Sequence, residues 1–273
     1  MTLRDLDILR QVAEHRFIRS NWIIQLVGGS QQHLLRRLNL LYHHGYLERP
    51  RCQIDYYHQG GSKSLVYGLA SRGAGRLRRD LDMPFNRMDW TTRNKRIGRL
   101  FLEHTLMISD FMVRLELDSR GRSDRRLIHA DELPAPGGRD NAHELFRWSI
   151  DLSGRQRVTV VPDKVFAIDT THPNGRVTRK LYLLEADRGS MPVKRSRLDH
   201  SSIHKKLLTY SALNDNSRFR DALDGVSIKV MFLARTPERK SSVAQAVDNL
   251  TRHRSLFIVA TDPRNERSTL SLL

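Results

Sequence analysis

Apolar residues recur along this chain at two different spacings, and the switch between them divides it. In RDLDILRQVAEH, Leu6, Ile8, Leu9 and Val12 fall at near-helical intervals. FIRSNWIIQLVGG holds a short helix over Trp22, Ile23, Leu26 and Val27, with Ser20 or Asn21 as its cap and Gly28-Gly29 as its stop. A third helix is predicted over SQQHLLRRLNLLYHHG, capped by Ser30, with Leu34, Leu38 and Leu41 as the apolar stripe and Gly45 as the terminator. The pattern then becomes strand-like. YLERPRCQIDYYH and SLVYGLA flank a Gly60-Gly61-Ser62 turn, and SRGAGRLRRDL reads as a short closing helix. Three helices, a tight turn before the third, and then a β-hairpin is the order of a winged helix-turn-helix, here over residues 1–82.

Residues 83–94 read as a basic connector. A long helix follows, with Leu102, Leu106, Ile108, Phe111, Met112 and Leu115 apolar, and then a charged loop, RGRSDRR. Pro134–Gly138 reads as a surface loop. Strand-like runs follow in ELFRWSIDL, RVTVVPDKVFAID and RKLYLLEADRG, then a helix in SRLDHSSIHKKLLTYSALN. VSIKVMFLA, the helix SSVAQAVDNLTRH and SLFIVATD complete the series. This order predicts a mixed α/β sheet with helices on its faces over residues 95–273, and an α+β chain overall.

Charge narrows the function. The 273 residues carry 47 Lys+Arg against 30 Asp+Glu, a formal net charge of +17, which points to a polyanionic partner. Residues 1–82 hold 13 basic and 7 acidic residues, a share of +6. The apolar runs are far shorter than the roughly 20 residues a membrane helix needs, so no membrane partner is expected. The first residues show no basic and apolar leader pattern, so no signal peptide and a cytoplasmic location are expected. Cys52 is the one cysteine, which excludes an intrachain disulfide and a multi-cysteine zinc site. His43, His44 and His58 lack the spacing of zinc ligands.

Two groups of residues carry candidate chemistry. On the third helix, Gln31, Gln32 and His33 follow the cap, where a recognition helix meets base edges, and Gln suits adenine. Arg36 and Arg37 suit phosphates, as do Arg49, Arg51 and Lys63 around the hairpin. The bland alternative is a solvated surface used for protein contact. The second group is acidic. Asp163 follows Pro162 between β-branched runs, and Glu185 and Asp187 lie two apart at the end of the next strand, on one face. Three such acids suit Mg²⁺ or Mn²⁺, which activates water and stabilises charge at a phosphate. Their alternative is the role of ordinary turn and cap residues.

Pro162-Asp163, a strand, Glu185-Ala186-Asp187 and a helix with Lys205, Lys206 and Tyr210 together resemble the PD-(D/E)XK nuclease fold. With the N-terminal winged helix, the chain resembles the replication-relaxation family of plasmid and mobile-element proteins. Arg36-Arg37-Leu38, Gly45–Leu47, Val66–Leu69, Glu103-His104 and Glu185–Gly189 carry this resemblance. It implies a restriction-endonuclease-like second domain and a role in replication, relaxation or mobilisation. The implied partners are double-stranded DNA and other replication or mobilisation proteins. The lysine that active nucleases place two residues after the second acid is Asp187 here. Lys205 or Lys206 from the next helix could supply that cation, and Glu103 from the long helix could supply a further carboxylate. An acid at the position of Asp187 favours a DNA-binding protein whose nuclease-like site is inactive. A metal-dependent nuclease using Asp163, Glu185, Asp187 and Lys205, and a winged-helix repressor acting as a homodimer, stay open.

Overall fold

The computed structural model describes residues 1–54, 64–85, 89–133, 146–152, 156–195, 201–250, 252–261 and 269–273. The chain divides into two compact units, Met1–Leu117 and Asp118–Leu273, and it is α+β as the periodicity predicts.

The first unit begins with α1 (Leu3–His15), which Thr2 caps by accepting from the Asp5 N–H while Asp5 accepts from Thr2. Strand β1 (Phe17–Arg19), α2 (Ser20–Val27) and α3 (Gln31–His43) follow. Gly28 and Gly29 turn the chain between α2 and α3 at φ values of 73° and 94°, a backbone region that a side chain disfavours. After β2 (Leu47–Glu48) and β3 (Val66–Leu69) come α4 (Ser71–Leu81), α5 (Trp90–Lys95) and α6 (Arg99–Arg120). The strands form an antiparallel sheet in the order β1-β3-β2. Ile8, Leu9, Leu26, Leu34, Leu38 and Tyr67 share its core.

Two expectations change here. Strand β1 escaped the periodicity because three residues cannot display a period. Among the described residues, the long strand expected from Tyr46 onwards is only Leu47–Glu48, and a single turn of 3₁₀ helix follows at Arg51–Gln53. The Gln53 amide then does the work of a strand, accepting from the Val66 N–H at 2.7 Å and donating to the Val66 carbonyl at 3.1 Å. The Gly60-Gly61-Ser62 turn lies outside the described residues.

The second unit comprises β4 (Arg125–His129), β5 (Trp148–Leu152), β6 (Gln156–Val160), β7 (Lys164–Thr171) and β8 (Val177–Asp187), then α7 (Ile203–Asp215), α8 (Ser217–Ala222), β9 (Ser227–Ala234), α9 (Pro237–Asp248) and β10 (Phe257–Thr261). Its main sheet runs β4-β7-β8-β9-β10. The β4–β7 and β7–β8 joins are antiparallel, and β8–β9 and β9–β10 are parallel. Parallel neighbours need crossovers, and α7 with α8 and then α9 supply them. One face of the sheet, with Ala167, Leu181, Leu183 and Phe232, packs in one core with Leu207 and Val243. On the other face Phe166 and Tyr182 stack at 5.1 Å with their rings 7° from parallel.

RVTVVPDKVFAID, expected as one strand, is two. Pro162 has no N–H for a ladder, and β6 ends at Val160 while β7 begins at Lys164. β6 pairs with β5 in a separate hairpin, so only β7 joins the main sheet. The charged stretch RGRSDRR, expected as a loop throughout, gives its last two arginines to strand β4.

Candidate nucleic-acid interface and acidic site

Helix α3 buries Leu34, Leu38 and Leu41 and leaves Gln31, Gln32, His33 and Arg36 exposed. Ser30 stands at the N-cap without a side-chain bond to the helix. Arg37, one residue beyond Arg36, turns the other way. Its Nε donates to Asp5 Oδ1 at 2.8 Å and its terminal nitrogen donates to Oδ2 of the same carboxylate. Asp5 is buried, which works against its charge, yet the Arg37 and Thr2 bonds outweigh that and hold its carboxyl below the usual range.

Arg49 is also committed inward. Its guanidinium lies 4.3 Å from the Tyr42 ring and 5.1 Å from the Tyr67 ring. One terminal nitrogen donates to Asn39 Oδ1 at 2.9 Å and to the Tyr67 hydroxyl at 2.8 Å. Asn39 and Tyr42 belong to α3 and Tyr67 to β3, so Arg49 ties the helix to the sheet. Arg51 is exposed in the 3₁₀ turn. Lys63 lies outside the described residues.

In the second unit, β7 and β8 bring two of the three acids together. Asp163 stands just ahead of β7 and bridges to β8: its N–H donates to the Leu184 carbonyl at 3.0 Å, and its Oδ2 accepts from the Ala186 N–H at 2.8 Å. Glu185 lies between those two β8 residues and is 3% exposed. Its side chain reaches α7, where the Lys206 ammonium donates to Oε2 and the Tyr210 hydroxyl donates to Oε1. Lys206 and Tyr210 are four apart, so one helix face presents both. Ser202 caps α7 by accepting from the Lys205 N–H at 3.1 Å, which sets the phase that turns Lys206 toward the sheet. Lys206, and not its neighbour Lys205, is the lysine that meets Glu185.

Asp187 shares the face of Glu185 but faces a different partner. Arg239 on α9 donates from Nε to Asp187 Oδ2 at 2.5 Å and from a terminal nitrogen to the Met191 carbonyl. The Gly189 N–H donates to Asp187 Oδ1 at 2.9 Å. Arg239 thus clamps the segment leaving β8, and nothing in the local sequence around it signals that role. Glu103 accepts from Arg99 Nε at 3.0 Å in the first unit.

The electrostatics follow from burial. Desolvation pushes the Glu185 carboxyl up, Lys206 pulls it back, and the charge of Asp163 adds to the rise. Burial opposes the Lys206 ammonium too, but Glu185, with Asp163 and Asp187 nearby, more than compensates and raises its affinity for the proton. The Tyr210 hydroxyl is raised well above its ordinary range by burial and by the Glu185 carboxylate it donates to. The cluster is an acid pair with a built-in cation. Among the described residues, no group of three or more His, Cys, Asp or Glu side chains is placed to hold a metal ion. No described helix is long and apolar enough to cross a membrane.

A family model described as replication-relaxation matches residues 9–226. No curated protein and no solved structure matches the chain.

Proposed function

This chain belongs to the replication-relaxation family, and from that premise we propose that it binds double-stranded DNA in the replication, relaxation or mobilisation of a plasmid or mobile element. The observation that carries this reading is α3, whose exposed Gln31, Gln32 and Arg36 stand over a buried leucine stripe. The order α1-β1-α2-α3-β2-β3, with β3 between β1 and β2, supports a winged helix over residues 1–82. The net charge of +17 supports a phosphate-rich partner.

Titration of duplex DNA at several salt concentrations tests the proposal. Each neutralised phosphate contributes about 0.9 to the log–log salt slope. Arg36→Ala is expected to reduce the slope by that amount. Arg49→Ala is expected to weaken binding while leaving the slope unchanged, because it loosens α3 from the sheet and removes no phosphate contact. Absence of duplex binding at low salt, or affinity indifferent to salt, overturns the reading.

A second reading, cleavage of the bound DNA, is favoured by one observation: α7 delivers Lys206 to the acid pair. The sheet order β4-β7-β8-β9, two antiparallel joins followed by a parallel one that α7 and α8 cross over, supports a nuclease-like second domain. Mg²⁺ needs only one or two protein carboxylates beside waters and substrate phosphate, so Asp163 and Glu185 are a sufficient pair, while Arg239 occupies Asp187. A metal held there would supply an activated water and neutralise charge at phosphorus. Lys206 sets the position and protonation of Glu185. Supercoiled plasmid incubated with Mg²⁺ or Mn²⁺ discriminates the two readings. Nicking that vanishes in both Asp163→Ala and Glu185→Ala supports cleavage. Intact plasmid under conditions of demonstrated binding rejects it.

A further inference from the structure

The exposed side of α3 carries a residue that neither charge nor hydrogen bonding explains. Leu35 keeps 40% of its surface in water, although the apolar stripe that holds α3 in the core is complete without it in Leu34, Leu38 and Leu41. On the helix it stands four residues after Gln31 and three after Gln32, and Arg36 follows it, so it shares the patch these polar side chains form. Leu40 is equally exposed but sits roughly 8 Å further along the axis, away from the N-terminal end that a recognition helix presents to bases.

From this placement, and resting on the DNA-binding reading of α3, we infer that Leu35 contacts the C5-methyl group of a thymine in the major groove, beside an adenine read by Gln31 or Gln32. The chemistry singles out the base. Among the base edges of the major groove only thymine presents a methyl group, and adenine presents the acceptor and donor that a glutamine amide matches bidentately. An apolar side chain set among amides therefore selects A·T pairs. A leucine facing guanine or cytosine would instead bury polar edges without partners.

The test begins with selection of bound sites from a random duplex library by the full chain. Each thymine of the selected site is then replaced by deoxyuridine, which deletes the methyl and leaves the protein untouched. One thymine is expected whose replacement weakens binding about fourfold, the value of one buried carbon group. Leu35→Ala is expected to weaken binding to the thymine site by a similar factor and to be insensitive to the uracil replacement, so the two losses do not add. Leu35 is exposed and alanine favours helix, so this variant keeps its fold. Duplex binding with no uracil effect, with a uracil effect that persists in Leu35→Ala, or with no sequence enriched overturns this inference alone. Loss of a dimer in Leu35→Ala, read as mass in solution, assigns the leucine to a second copy and also overturns it. Absence of duplex binding overturns the reading beneath it.

Discussion

Replacing Lys206 with methionine is expected to lower the free energy of unfolding by about 2 kcal/mol at pH 8, and by clearly less at pH 5. Breaking a fully buried ion pair by removing one partner costs about 3 to 5 kcal/mol, because the other charge stays in a poor solvent. Glu185 is buried, but the Lys206 side chain keeps 36% of its surface in water, which reduces the figure. The pH dependence follows from proton linkage. Glu185 is already raised above its ordinary range, so in the window above that range the folded chain holds its proton more firmly than the unfolded chain does. Stability therefore falls as pH rises through the window. Removing Lys206 takes away the largest downward pull on Glu185 and widens the window upward. Acidification then restores stability by letting Glu185 protonate, with Tyr210 still in place. Urea unfolding of the second unit at the two pH values measures the effect. The double variant Glu185→Gln with Lys206→Met should recover most of the loss, since it leaves no unpaired charge. A loss of equal size at both pH values would contradict this account.

The other large effect is expected at Gly73, where alanine should destabilise the first unit by roughly 2 to 3 kcal/mol, near the upper end for overpacking. A Cβ at this position would lie inside contact distance of the Tyr46 carbonyl oxygen and 2.8 Å from Leu69 Cδ1. The Tyr46 oxygen cannot retreat freely. It accepts from the Ala70 N–H at 3.1 Å, the bond that joins the segment after α3 to the start of α4. Alanine's better helix propensity, about 1 kcal/mol, offsets only part of the clash. Gly98→Ala is the packing control, because a Cβ there meets nothing within 4 Å, and it should cost no more than about 1 kcal/mol, the loss of a glycine cap at the start of α6. Thermal melting of the two variants, followed by duplex binding, reads both expectations. A Gly73→Ala protein as stable as the parent would show that α4 can move away from Tyr46.

These residues show what sequence reveals and what it withholds. The stripe of α3 is visible as Leu34, Leu38 and Leu41, and β8, β9 and β10 are visible as apolar runs, because each has enough residues to display its period. β1 has too few. β4 starts with Arg125 and Arg126 at the edge of the sheet, where charge is tolerated, so its polar start hides it. The acids Asp163 and Glu185 were legible from their place at strand ends. Their cation was legible only as a choice between Lys205 and Lys206, since one residue rotates a helix position by about 100° and the phase is fixed by Ser202. Arg37, Arg49 and Arg239 show the limit most clearly. As residue types they suit phosphate, but Asp5, the Tyr42–Tyr67 pair and Asp187 claim them through contacts made only in the folded chain. In the case of Arg239 the partner lies 52 positions away.

The topology around β8 also dictates an order of events during folding. β7 and β8 are joined by the short turn 172–176, so this hairpin closes a small loop and forms early. Closing it brings Asp163 against the backbone beside Glu185. The helix that brings Lys206 begins only at Ile203, within the crossover that separates β8 from its parallel partner β9. A chain folding in that order is expected to hold Asp163 beside the Glu185 backbone before Lys206 arrives. The docking of α7 then supplies the ammonium and the hydroxyl that Glu185 meets only in the folded chain.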